Sequence, residues 1–339
     1  MNNYIDNNQA IVFDENEFEI AIVTYKRSLF IKTWLDKCYI DTVKRNIQLK
    51  IIDSSPDNLT QKVVDEFNLR NKARIAYCHV DTETPIGYKP MIGILTSKSK
   101  YVWVAGDSRY HDFKEFDKNV FPFIRQGLDF IVFFNGFGEL TYKIYTDKTS
   151  FLHDCFIPCT CIGCSIYKVD LFDDIKLDEK LMAHYDNLFK YNYGFGWLGY
   201  FYSMFAKKNE CRAAFCEVTI YSIAKNKKQA WAKKFYGCWI DDLHQIMNNL
   251  PSIYNHTDDV LRETWEKMHL DSWYYCYIAR MGGDLNSKSL KYYKENGLLE
   301  RTGANQLRVE FFAYAPRCIL PLFNFVYRAV RKVKHILSQ

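Results

Sequence analysis

The residues that could do chemistry stand where short apolar runs stop. Tyr101 to Val104 is uncharged, aromatic and β-branched, and it passes through Ala105 and Gly106 into Asp107, Ser108 and Arg109. That order predicts a strand buried on both faces that delivers a carboxylate to the carboxyl end of an open α/β sheet, where ligands bind. The run 49–53 ends on Asp53 in the same way, and 18–24 ends on Thr24, ahead of Tyr25, Lys26 and Arg27. Taken singly, each is also ordinary turn or cap chemistry, and Asp107 with Ser108 would serve equally as the cap of a helix over 112–126. Taken together, Thr24, Asp53 and Asp107 are expected along one sheet edge.

The elements that would position them alternate. Strands are expected at 18–24, 49–53, 73–80 and 101–104, separated by helices at 29–47 with Ser28 as N-cap, at 59–70 and near 91–98. This is the cadence of a parallel sheet with right-handed crossovers. Further strands follow at 128–134, 161–167 and 211–222, with a hairpin at 142–145 and an aromatic helix-like run from Leu188 to Phe205. Residues 1–17 read as a polar arm. After about 225 five lysines, Lys225, Lys227, Lys228, Lys233 and Lys234, precede helical patterns at 228–249, 257–281 and 286–297. The chain therefore divides into an arm 1–17, an α/β domain 18–225 and a helical region 226–339.

At 339 residues and 48% hydrophobic content, the chain can bury a full core. A net charge of +5 is too small to indicate a nucleic-acid partner, and the lysine cluster matches no known reader motif. The 11 cysteines, with no signal-like N-terminus, read as reduced, buried thiols of a cytoplasmic protein. The densest set, Cys155, Cys159, Cys161 and Cys164, reads as core packing rather than a metal ribbon. No run has the length of a membrane span. In 319–337, Ile319, Leu322, Phe323, Val326, Val330, Val333 and Leu337 share one helical face opposite Arg328, Arg331, Lys332 and His335. Such a helix can lie on an anionic membrane, here the inner face of the plasma membrane, or dock on its own domain. Oligomeric state stays open.

Four segments carry a resemblance. Ile20 to Arg27, Leu49 to Asp57, Tyr101 to Arg109 and Lys176 to Asp186 resemble, in that order, the conserved segments of the inverting family 2 glycosyltransferases of GT-A fold. The match covers about two thirds of the chain, and each motif alone is weak. The resemblance implies a mostly parallel, Rossmann-like α/β sheet with flanking helices, a helical region behind it, and a nucleotide-diphospho-sugar donor, UDP-linked by family default. The acceptor would be a hydroxyl on a glycan, a glycolipid or a glycoprotein. It implies that Asp53 binds the nucleoside, with Thr24, Tyr25 and Arg27 around it. Asp107 would lie beside the diphosphate, Lys89 would reach a phosphate, and Asp186 would be the catalytic base. His184 is the substitute base, and Tyr193 and Trp197 belong to an aromatic run suited to stacking on an acceptor sugar.

Two positions depart from the family. Arg109 stands where the DxD-like triplet has a second acid, and Tyr185 stands before the base where the family has Glu. Carboxylates there usually hold a Mg²⁺ or Mn²⁺ that bridges the diphosphate. Arg109 implies weaker metal binding, and three readings follow. Arg109 takes over neutralisation of the leaving diphosphate; Asp107 alone holds a loose ion; or the chain is a catalytically impaired partner of another transferase.

Overall fold

The computed structural model describes residues 11–84, 86–134, 142–173, 195–224 and 236–327. The segment 177–186 with His184 and Asp186, Tyr193, the lysine cluster and the chain beyond 327 lie outside the described residues. The described residues fall into two compact units. One lies within Met1–Lys227 together with Leu250–Tyr254, the other within Lys228–Asn249 and Asn255–Gln339.

The first unit is built on strands β1 (Phe18–Thr24), β2 (Gln48–Asp53), β3 (Ala76–His79), β4 (Tyr101–Gly106), β5 (Arg109–His111), β6 (Phe130–Phe133), β7 (Tyr142–Tyr145), β8 (Ser165–Lys168), β9 (Ala213–Cys216) and β10 (Tyr221–Ile223). Eight of them form one sheet in the order β3-β2-β1-β4-β8-β6-β9-β7, and β5 pairs separately with β10. β1 lies between β2 and β4, parallel to both, in a register that sets Thr24 beside Asp53 and Val23 beside Gly106. Strands β7 and β8 run against their neighbours. The sheet is therefore mostly parallel rather than purely so, and the expected hairpin strand 142–145 pairs instead with β9.

Burial explains why these residues form strands. Every residue of β1 is buried, and in β4 all but Gly106 are, as an uncharged β-branched and aromatic run between covered faces requires. Trp103 anchors the β4 side. Its ring stacks on His111 at 3.9 Å and on Phe116 at 5.5 Å, and its indole N–H donates to the Gly163 carbonyl at 3.1 Å. Burial, and secondarily Arg109, lowers the His111 pKa to about 3, so this ring is a neutral packing element.

The helices are α1 (Ser28–Lys44), α2 (Leu59–Asn71), α3 (Lys89–Leu95), α4 (Phe113–Asn119), α5 (Phe121–Arg125), α6 (Lys148–Cys159) and α7 (Gly196–Lys207). Several differ from expectation for local reasons. Ser28 is the first residue of α1, and Arg27 takes the cap position without a side-chain bond. The single helix expected over 112–126 is two, because Pro122 has no N–H to continue α4 and sits in the first turn of α5. Asp112 caps α4 by accepting from the backbone of Lys114 and Glu115. The strand expected from Cys161 begins only at Ser165, since Cys161 to Cys164 form a turn with Gly163 at φ +94°. Helix α6 was not legible as a helix, though Asp147 accepts from the Ser150 N–H as its cap.

Helix α3 starts two residues earlier than expected, with Pro90 in its first turn, and this makes Lys89 helical and buried. The helix lies close against the sheet at Gly93, where an added Cβ would meet the Ala21 Cβ at 3.1 Å and the Ile52 Cδ1 at 3.2 Å. The second unit is helical: Leu243–Asn249, Thr257–Met268, Trp273–Gly282, Ser287–Glu295, Leu298–Thr302 and Gln306–Tyr314, with a π-helical turn at Gly237–Asp242. The long helix expected over 257–281 breaks at His269, which is left-handed at φ 49°. Among the described residues no helix is long and apolar enough to cross a membrane.

Gly93→Val should force α3 off β1 and β2. Urea unfolding should show a loss of about 1–3 kcal/mol, the usual cost of overpacking; an unchanged midpoint would mean that the contact is slack.

Candidate functional site

The carboxyl ends of β1, β2 and β4 meet in one polar network. Asp107 follows β4 directly and is 4% exposed. A buried carboxylate needs partners, and each of its oxygens has one. The Thr24 hydroxyl donates to Oδ2 at 2.8 Å, and Arg27 Nη1 donates to Oδ1 at 3.1 Å. Arg27 can turn back onto Asp107 because Lys26, between them in the β1 exit loop, adopts the left-handed conformation at φ 53°.

Asp53 is fully buried at the end of β2. Its Oδ1 accepts from the Ser55 backbone N–H at 2.9 Å and from the Ser55 hydroxyl at 2.5 Å, and its Oδ2 accepts from the Tyr77 hydroxyl at 3.0 Å. Ser55 in turn accepts from the Lys26 backbone N–H at 2.7 Å, which ties the β2 exit to the β1 exit. Thr24 and Arg27 were expected around Asp53; Thr24 lies beside Asp53 in the strand register, and both side chains bond to Asp107. Ser55 and Tyr77 were not anticipated. The Asp-Ser-Ser run hinted at a side-chain turn, but nothing local connects Tyr77 on β3 to Asp53.

Lys89 is 6% exposed, and its ammonium lies 5.0 Å from the centre of the Tyr25 ring, itself 41% exposed. Burial lowers its pKa, while the carboxylates of Asp53 and Asp107 oppose the shift. Lys89 thus stands close enough to feel both acids, and its attraction to them is outweighed by loss of water.

Arg109 is placed elsewhere. It opens β5, donates from Nη1 to Cys164 Sγ at 3.0 Å, and stacks on the Tyr221 ring at 4.1 Å. Burial would raise the Cys164 pKa, but the hydrogen bond from Cys161 and the Arg109 guanidinium bring it down to about 6. The guanidinium expected to face a leaving diphosphate is thus held by the Cys164 sulfur and an aromatic ring, and the cation paired with Asp107 is Arg27. Trp197 is 2% exposed within α7, the core position that its aromatic run allowed as well as an acceptor subsite. His184, Tyr193 and Asp186 lie outside the described residues. Cys155, Cys159 and Cys164 are buried free thiols.

Thr24→Val removes the donor to Asp107 Oδ2 without changing side-chain shape. It should cost about 1–3 kcal/mol in urea unfolding, with most of the loss recovered in Thr24→Ser. Equal stability of Thr24→Val and wild type would show that the carboxylate does not need the hydroxyl.

By sequence, the chain matches no protein-family model and no curated protein. By structure it is similar to residues 1–349 of TarS from S. aureus, solved in complex with UDP-GlcNAc. That match has a TM-score of 0.52 at 14% identity and covers 87% of this chain and 91% of the other. The mannosyltransferase PcManGT from Pyrobaculum calidifontis, solved with GDP-Man and Mn²⁺, is matched with a TM-score of 0.47 at 9% identity, over 86% of this chain and 80% of that one. At such identities the likeness is one of fold. Its mostly parallel sheet, flanking helices and helical C-terminal region give this chain the GT-A fold of the glycosyltransferases.

Proposed function

We propose that this protein is a glycosyltransferase that moves a hexosyl group from a nucleotide-diphospho-sugar, UDP-linked in the first instance, to a hydroxyl of a glycan, glycolipid or glycoprotein acceptor. The observation that carries the reading is the buried Lys89, beside the exposed Tyr25 ring and within electrostatic reach of Asp53 and Asp107, on the ligand edge of a GT-A sheet. An ammonium stripped of water and only partly compensated by two carboxylates favours an added anion, and a diphosphate supplies one.

Asp53 is then the nucleoside side of the site, and its bonds to Ser55 and Tyr77 hold it in one rotamer. Tyr25, exposed beside Lys89, is a surface on which a base or sugar can lie. Arg27 and Lys89 neutralise the charge that gathers on the departing phosphate oxygen. Inversion follows if the acceptor oxygen bonds to the anomeric carbon as the carbon–oxygen bond to the diphosphate breaks on the opposite face. The hydroxyl proton passes to Asp186, whose value as a weak base lies in its position. His184 is the alternative acceptor of that proton. The setting is polysaccharide or glycoconjugate biosynthesis in the cytoplasm.

A divalent ion fits these residues poorly. Asp107 would be its carboxylate, yet both oxygens already meet Thr24 and Arg27. Among the described residues no group of three or more acids, histidines or cysteines could enclose it. In this reading neutralisation falls to Arg27 and Lys89. A second reading, a catalytically impaired partner of another transferase, draws on Arg109, which replaces an acid and is occupied with Cys164 and Tyr221.

The test is hydrolysis and transfer from a panel of UDP, GDP and dTDP sugars, with Asp186→Asn as control. Turnover should survive chelation of divalent ions and fall at least about a hundredfold in the control, the usual scale of general-base loss. It should decline as pH rises through the lowered pKa of Lys89, where the phosphate loses its cation, and Lys89→Arg should move that decline to higher pH. A folded protein with no turnover on any donor favours the partner reading.

A further inference from the structure

The second unit ends in an apolar surface that its own packing does not explain. Residues 320–327 are helical, and one side of this helix is docked: Leu320 is fully buried, and Phe323 and Tyr327 lie 6.4 and 5.8 Å from the Trp273 ring. The other side is not. Leu322, Phe325 and Val326, spaced to share a helical face, are 67%, 71% and 51% exposed. The neighbouring helix Gln306–Tyr314 adds Leu307 at 80%, Phe311 at 42% and Tyr314 at 65%, again at the spacing of one face. The two helices meet at Phe311 and Phe323, ring centres 6.0 Å apart, and these rings, 42% and 40% exposed, carry the apolar surface from one helix to the other. A contiguous apolar surface of this kind marks an interaction site.

Its charge says what covers it. From residue 311 to the end the sequence contains no Asp or Glu, but has Arg317, Arg328, Arg331, Lys332 and Lys334. Beside Tyr314 a shallow groove of about 600 Å³ is lined by Lys288, Lys291 and Lys294, with Glu295 as its one acidic lining residue. Exposed apolar side chains, an exposed tyrosine, the exposed Arg317 between the two helices, Lys288 in the groove and a sequence free of acids from residue 311 match the boundary of an anionic bilayer, where hydrocarbon, aromatic edges and phosphates succeed one another with depth. We propose that the surface formed by helices 306–314 and 320–327 seats the second unit on an anionic membrane. Leu322, Phe325 and Val326 enter the acyl boundary, and the basic residues meet the headgroups. Self-docking and membrane docking of the terminal helix are then not alternatives, because opposite faces of one helix serve them.

Purified full-length protein would be sedimented with vesicles of phosphatidylcholine alone and of phosphatidylcholine mixed with phosphatidylglycerol. Binding to the anionic vesicles should be at least about tenfold stronger at low ionic strength and fall as salt rises. The triple variant Leu322→Ser, Phe325→Ser, Val326→Ser should weaken it about tenfold or more without lowering the melting temperature. Leu307→Ser, on the neighbouring helix and at a highly exposed position, should weaken it several-fold. Four results would overturn the proposal: no binding to anionic vesicles, undiminished binding by the folded variants, equal and salt-insensitive binding to both vesicle types, or a dimer abolished by the same substitutions, which would make the surface an interface between copies.

Discussion

The polar edge of this protein depends on a single buried carboxylate. Asp107 has left the core strand β4 but not the protein interior, and it holds its charge there because Thr24 and Arg27, both from the exit of β1, occupy its two oxygens. Strand register makes this possible, since Val23 pairs with Gly106 and brings the next residues of both strands together. The same exit loop reaches the other way, through the Lys26 N–H and Ser55 to Asp53. Two acids on different strands are thus tied through one short loop. Loss of any member removes a bond to a buried polar group, a larger penalty than the net worth of the bond itself.

Much of this was legible in the sequence because the strands are extreme. Phe18–Thr24 and Tyr101–Gly106 carry apolar side chains on both faces with few breaks, a pattern that only a covered sheet accommodates; the first stops at Thr24 and the second is followed by Asp107. Such stops predict which residues gather at an edge. They do not predict which of them bond, because that depends on loop conformation and strand order. Arg27 was legible as a member of the edge but not as the partner of Asp107, a pairing that rests on one left-handed residue, Lys26. Lys89 was legible as a residue that reaches a phosphate but not as the buried first residue of a helix.

Arg109 shows the opposite failure. Its position in the DxD-like segment suggested a role at the diphosphate, yet a residue at the start of a strand can point to either side. Here β5 pairs with β10, which carries Tyr221 under the guanidinium. The pairing is between residues more than a hundred positions apart, and no local signal reports it. The strand β8 was expected, but its antiparallel direction was not legible, because composition is silent on orientation. In the helical unit, periodicity gave the helices but not their breaks, as at His269.

The central claim is that Lys89 and Arg27, rather than a caged metal ion or Arg109, receive the diphosphate of the donor. Calorimetric titration of UDP and GDP against uridine and guanosine, in EDTA, on wild type, Lys89→Met and Arg109→Met tests it most directly. The account predicts diphosphate binding without metal that weakens about tenfold or more in Lys89→Met, the loss of a charge-assisted bond, and changes little in Arg109→Met. Binding that requires Mn²⁺, or that is lost with Arg109 and indifferent to Lys89, would contradict it.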